Sequence, residues 1–278
     1  MKKFLKILGI AVWVLFAAGL FTLLGFTNAE YNSMKCRNYE IRIDYGKTDV
    51  LVTKEDVYNL VKQSGHILKG QSFGNINFEK IERELRRYSY ISGAQVYMTM
   101  DGITHLDVVQ RQPVLRIFNE KGESYYLDGL GKLLPLNPAF TARVLVASGK
   151  IPEPFLKNVN YLADSMRKKD SVQYKGVMLN LYRMATYIVR DKFLRAQIEQ
   201  IYVDESGEFQ LVPRVGNHLI LFGDAEDIPE KFEKLLVFYR QGLNKTGWEK
   251  YNVINIKYKN QVVCSKTGPA PIVQPKKN

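Results

Sequence analysis

The sequence predicts an α+β protein: a single transmembrane helix, a small strand–helix–helix–strand–strand domain, and a larger, mostly antiparallel β domain with flanking helices. Three observations predict it. The run Ile7 to Ala29 carries no charge and is long enough to cross a bilayer. Two helix-period segments lie between strand-period segments in residues 39–111. Beyond Pro113 the pattern changes to short alternating strands joined by Gly- and Asn-containing turns.

The first segment sets the compartment. Lys2, Lys3 and Lys6 precede an uncharged run of 23 residues, 7–29, with no polar stripe. A helix of about 20 residues spans the hydrocarbon core, and a lysine-rich flank stays cytoplasmic. Residues 1–6 are then a cytoplasmic tail, and everything after Glu30 is exported as a single-pass type II protein. The competing reading is a signal peptide cleaved after "TNA". The run exceeds the roughly 7–15 residues of a signal h-region, and Thr27 fits the small-residue rule poorly, so a retained anchor is the reading preferred.

Residues 30–38, "EYNSMKCRN", read as a short polar tether. "YEIRIDYG" alternates Ile41, Ile43 and Tyr45 against polar neighbours, as a strand does. Thr53 and Asp56 have capping-box spacing ahead of Val57, Leu60 and Val61, and Gly65 ends that helix. Asn77 opens a second helix with Phe78, Ile81, Leu85 and Tyr88 on one face. Strands at 91–100 and 105–111 complete the small domain, 39–111.

The larger domain, 112–265, begins with the hairpin "PVLRIF…ESYYLD", followed by "LLPL" and the strand "ARVLVAS" at 142–148. A helix carries Val177, Leu181, Met184, Ala185 and Ile188. Segments 197–204, 207–215 and 217–223 form a meander. A further helix has Asp227 as predicted N-cap, with Glu230 completing a capping box. The last alternating stretch is 251–266, with Ile254, Ile256, Tyr258, Asn260, Val262 and Cys264 on one parity; Ile254, Ile256 and Tyr258 are expected to turn inward. It is either one strand or a hairpin turning at "KNQ", since a two-residue turn leaves the parity unbroken. Residues 266–278 are Pro-rich with little apolar mass and are expected to be disordered.

The chain of 278 residues has 40 Lys and Arg against 28 Asp and Glu, a net +12. Its basic residues are spread out, with short runs at 82–88, 167–170 and 276–277 and no base-reading motif, which argues against nucleic acid as a partner. Cys36 and Cys264 are too few for a disulfide framework or a zinc site and read as independent thiols. His66, His105 and His218 stand in turn-like contexts without ligand spacing and read as surface residues. "GLGK" at 129–132 lacks Walker spacing and sits in a turn. Ser165 with Lys168 and Lys169 lies in a charged stretch, and Glu82 and Glu84 do not share a helix face. No catalytic, cofactor-binding or metal site is therefore expected, and no small-molecule substrate.

The order of motifs resembles the FtsQ/DivIB family of bacterial cell-division proteins, in a divergent branch. That family has a cytoplasmic tail, a transmembrane helix, a POTRA domain of the strand order just described, and a β domain. Its junction motif, Glu-Arg-x-Pro, is similar to Gln110-Arg111-Gln112-Pro113. Its aromatic-aromatic-x-Asp and following Gly match Tyr125-Tyr126-Leu127-Asp128 and Gly131, and its Leu-Pro matches Leu134-Pro135. A later turn resembles Ile220-Leu221-Phe222-Gly223 with one residue inserted. The last signature, Asp-Leu/Met-Arg-Tyr, corresponds to Asn255-Ile256-Lys257-Tyr258, without the aspartate and with lysine for arginine.

The resemblance implies a non-enzymatic divisome component in the inner membrane, its bulk periplasmic, concentrated at the septum. It implies recruitment through the POTRA domain and binding of partners resembling FtsB and FtsL through the β domain. Strand addition at the last strand would involve Tyr258, Lys259, Asn260, Gln261, Val262, Val263, Cys264 and Ser265, with Tyr258 as aromatic anchor. Arg111 and Pro113 mark the domain junction. Two other readings are a POTRA-bearing factor of secretion or outer-membrane assembly, and an exported hydrolase or binding protein with its signal peptide removed.

Overall fold

A computed structural model describes residues 13–20, 22, 32–65, 67–156 and 176–266. The predicted span 7–29 falls mostly outside them, as do His66, Ser165 and residues 267–278. Residues 13–20 are helical and exposed. No helix among the described residues is long and apolar enough to cross a membrane. The chain divides into two compact units, Met1–Gly46 with Val52–Gln110, and Lys47–Leu51 with Arg111–Asn278.

In the first unit, β1 (Asn38–Asp44) leads to α1 (Lys54–Gln63), a 3-10 turn (Phe73–Asn75) and α2 (Phe78–Arg87). The strands β2 (Ile91–Met98) and β3 (Ile103–Gln110) follow. The sheet order is β1-β3-β2, with β1 parallel and β2 antiparallel to the central β3. Both helices start as their caps dictate. Thr53 Oγ1 accepts from Asp56 N at 3.1 Å while Asp56 Oδ2 accepts from Thr53 N at 2.8 Å. Asn77 Oδ1 accepts from Lys80 N at 2.9 Å. Val57, Val61, Ile81 and Leu85 are the buried helix residues, matched by Ile41, Ala94, Val96, Leu106 and Val108 on the strands. Within the predicted tether, Cys36 is buried with its Sγ 3.1 Å from Thr104 Oγ1, and Cys36 N donates to Gln71 O.

The second unit contains β4 (Pro113–Phe118), β5 (Ser124–Asp128), β6 (Leu133–Leu134), β7 (Leu145–Gly149), α3 (Val177–Arg190) and α4 (Lys192–Gln197). After these come β8 (Ile198–Val203), β9 (Phe209–Pro213), β10 (Leu219–Gly223) and α5 (Ile228–Val237). A π-helical segment (Phe238–Leu243) and a last turn (Asn244–Thr246) extend α5, and β11 (Val253–Asn255) and β12 (Val263–Ser265) end the unit. Among the described residues nine strands form one sheet, in the order β12-β11-β10-β9-β8-β7-β4-β5-β6. Pairs β4/β7, β7/β8 and β10/β11 are parallel, and the rest are antiparallel. The helices bury Met178, Leu181, Met184, Ile188, Ile228, Phe232 and Leu235 in a core shared with Leu115, Ile117, Ile201, Leu211, Ile220 and Ile254. Each such side chain contributes about 1.5–3 kcal/mol by leaving water.

The structure corrects three expectations. Asp227 has left-handed backbone (φ 47°, ψ 39°) and makes no side-chain cap, because a capping box needs an extended N-cap; its carbonyl accepts from Lys231 N instead. Gln197 closes the short helix α4, so the strand begins one residue later than the pattern suggests. His218 and His105 are buried at 4% and 9% exposure rather than at the surface. His218 Nε2 shares a 2.9 Å hydrogen bond with the buried Tyr239 hydroxyl. His105 lies on the central strand β3, stacked on Tyr97.

Candidate partner-binding edge

The last two strands form a hairpin. Val253 faces Ser265, Ile254 faces Cys264 and Asn255 faces Val263, in antiparallel register. The strand ends at Asn255, whose Oδ1 accepts from Lys257 N at 3.0 Å in an Asx turn. Asn260 then takes the left-handed conformation (φ 59°) that asparagine tolerates. Lys234 of α5 fixes the connection by donating Nζ to the carbonyls of Ile256, at 3.1 Å, and Tyr258.

The turn overrides the parity. Ile254 and Ile256 are buried, as expected, whereas Tyr258 is 51% exposed, because the chain has already left the strand at Ile256. Of the eight predicted residues, Val263, Cys264 and Ser265 form the edge strand. Tyr258, Lys259, Asn260 and Gln261 form the exposed turn, and Val262 links the two.

Backbone direction at this edge follows from the neighbouring bonds. Asn252 O accepts from Leu219 N and Ile256 N donates to Leu221 O, so these groups face β10. Alternation then turns Ile254 toward β10 and the backbone groups of Val253 and Asn255 toward β12. Val253↔Ser265 and Asn255↔Val263 become the hydrogen-bonded pairs, and the amide and carbonyl of Cys264 point away from β11. The Val262 and Cys264 side chains pack on the core, while Val263 (46% exposed) and Ser265 face outward. Burial raises the Cys264 thiol pKa, which keeps it protonated, and both cysteines are free.

Three contacts that the sequence did not disclose hold the neighbouring strands. Lys257 pairs with Glu208, the residue just ahead of β9. Gly223 has φ +79°, and a Cβ there would stand 2.9 Å from Lys257 Cγ, so glycine leaves room for that lysine stem. Lys231 pairs with Asp224 and, as the largest influence, lowers its pKa by hydrogen bonding. Lys257 thus forms an ion pair, and Asn255 serves as a turn former.

At the other predicted position, Arg111 Nη1 donates to Asp128 Oδ2 at 2.9 Å, with the two side chains 11% and 1% exposed. Asp128 Oδ1 also accepts from Leu130 N at 2.9 Å and Lys132 N at 2.7 Å. Lys132 is lowered, first by burial and then by Arg111. Pro113 opens β4 opposite Asp128. The two motifs at 110–113 and 125–128 therefore meet in one buried ion pair. Gln110 is buried and neutral, and its Oε1 accepts from Val52 N at 3.1 Å.

Known families match both units. The family described as FtsQ/DivIB, C-terminal related, matches residues 112–265, more than half of the chain. The chain belongs to the FtsQ/DivIB family. A POTRA-like domain matches residues 34–109 of this FtsQ/DivIB-family protein. No curated protein matches the chain. Its fold is accordingly a POTRA-like α+β region and a larger β-sheet domain, in a family of membrane-anchored, non-catalytic scaffolds with a role in cell division. Among the described residues no cluster of His, Cys, Asp and Glu could hold a metal ion.

Proposed function

We propose that this protein is a non-enzymatic scaffold and regulator of the divisome. Residues 7–29 anchor it in the inner membrane, and its two exported domains link early and late division proteins and help control septal peptidoglycan synthesis. Its partners are membrane proteins resembling FtsB and FtsL, one of which adds a segment in strand conformation to β12. Main-chain hydrogen bonds to Cys264 supply affinity, and the exposed Tyr258 and Val263 select the partner's side chains.

One observation carries this reading. β12 ends a nine-stranded sheet, directs the Cys264 amide and carbonyl outward, and lies beside an exposed tyrosine held by Lys234. An edge of that kind is a template for pairing with another chain. The cellular part is tested with a functional fluorescent fusion and by depletion. The fusion should collect at midcell in dividing cells, and depleted cells should form filaments. Even labelling of the envelope together with normal division would remove the division role.

A further inference from the structure

The sheet of the first unit has an edge of its own at β2, eight residues long. Two of its backbone groups are already taken by side chains of α2. Arg86 Nη1 donates to Ala94 O at 2.9 Å, and Val96 N donates to Glu82 Oε1 at 2.9 Å. The same two side chains are joined to each other, Arg86 Nη2 to Glu82 Oε2, at 3.0 Å. Ala94 and Val96 face Val108 and Leu106 of β3, so both alternate in the same sense, with these groups directed away from β3.

The carbonyl of one residue and the amide two residues on are the pair that an added strand engages along an edge. Here a guanidinium stands where the incoming N–H would be and a carboxylate where the incoming C=O would be. Spacing of four on α2 lets the two side chains reach the strand together and neutralise each other. We infer that the Glu82–Arg86 pair is a side-chain substitute for a neighbouring strand, closing β2 against pairing with the β2 of a second copy of this chain. A second copy is the relevant occupant because two identical strands paired antiparallel are self-complementary about a two-fold axis, and bare edges of this length invite such pairing. The device is independent of the reading of β12.

The test uses the full chain in detergent micelles. Gln95, exposed at the centre of β2, is replaced in a Cys264→Ser background by Gln95→Cys, which meets its own copy in an antiparallel β2–β2 pair. With Glu82 and Arg86 intact, the expected result is no oxidised dimer and a slowly exchanging Val96 amide. In the Glu82→Ala/Arg86→Ala variant, Val96 exchange should rise on the order of tenfold and the disulfide-linked dimer should form, while the Leu106 amide of β3 stays protected. Glu82→Gln keeps an oxygen for Val96 and should retain the closed behaviour. Should the double variant lose Leu106 protection, Glu82→Ala alone takes its place. Cross-linking with the pair intact would overturn the inference. So would a bared Val96 amide without cross-linking, or Val96 exchange unchanged by removing the pair.

Discussion

Arg111 and Asp128 carry opposite charges into a region where neither side chain meets much water. Such a pair adds little net stability, but removing one partner leaves a buried charge alone, at a cost of about 3–5 kcal/mol. Arg111→Ala should therefore lower the unfolding free energy by that order in urea titrations of the β domain's signal, and a shift below about 1 kcal/mol would show that the pair does not matter. Tyr258 is the opposite case. Half exposed and outside the core, it should cost less than about 0.5 kcal/mol of stability when changed to alanine, yet weaken partner binding by roughly 30-fold or more if it is an anchor. Equal losses in melting and binding would return it to a structural role. Gly223→Ala both strains a left-handed backbone and meets Lys257, so it should destabilise by about 1–2 kcal/mol, read in the same titration.

At the scale of elements, edge geometry separates two neighbouring proline substitutions. Cys264→Pro removes an amide that faces away from β11, and edge strands accept proline there. Val263→Pro removes an amide that faces Asn255. The first should abolish partner binding with a small effect on stability, and the second should damage both, as read by pull-down and thermal melting. The junction of β10 with the π-helical segment has a pH signature. Burial lowers His218 from 6.5 to about 4. Between those values the unfolded chain binds a proton that the folded chain refuses, so stability rises with pH from about 4 to 6.5 and is flat above for this group. The acid loss is on the order of 2 kcal/mol, and His218→Gln should flatten it in melts across that range. A loss of the same size in the variant would assign it to other groups. The sequence was legible where local rules act alone: the Thr53 and Asn77 caps, the 3.6-residue stripes of α2 and α3, and the alternation of β1 and β4. It was less so where backbone handedness intervened. Asp227 looked like an N-cap until its left-handed φ removed the geometry, and Tyr258 looked inward until the Asx turn at Asn255 ended the strand.

For the whole molecule, family membership was legible from the order of degenerate motifs, each weak alone. What joins them is invisible in a linear reading. Arg111 meets Asp128 seventeen residues on, Lys257 meets Glu208 forty-nine residues away in sequence, and Lys234 holds a turn more than twenty residues away. The two sheets differ in how they treat their edges: α2 side chains occupy part of β2, while β12 turns the Cys264 backbone outward with exposed Tyr258 and Val263 beside it. The central claim is that a partner adds to β12, and site-specific photo-crosslinking in living cells tests it most directly. Crosslinkers placed singly at Tyr258, Val263 and Ser265, and at the exposed Glu199 of the mid-sheet strand β8 as a control, should give one small membrane partner from the first three and none from the last. No adduct from the β12 positions, or equal capture from Glu199, would contradict the account.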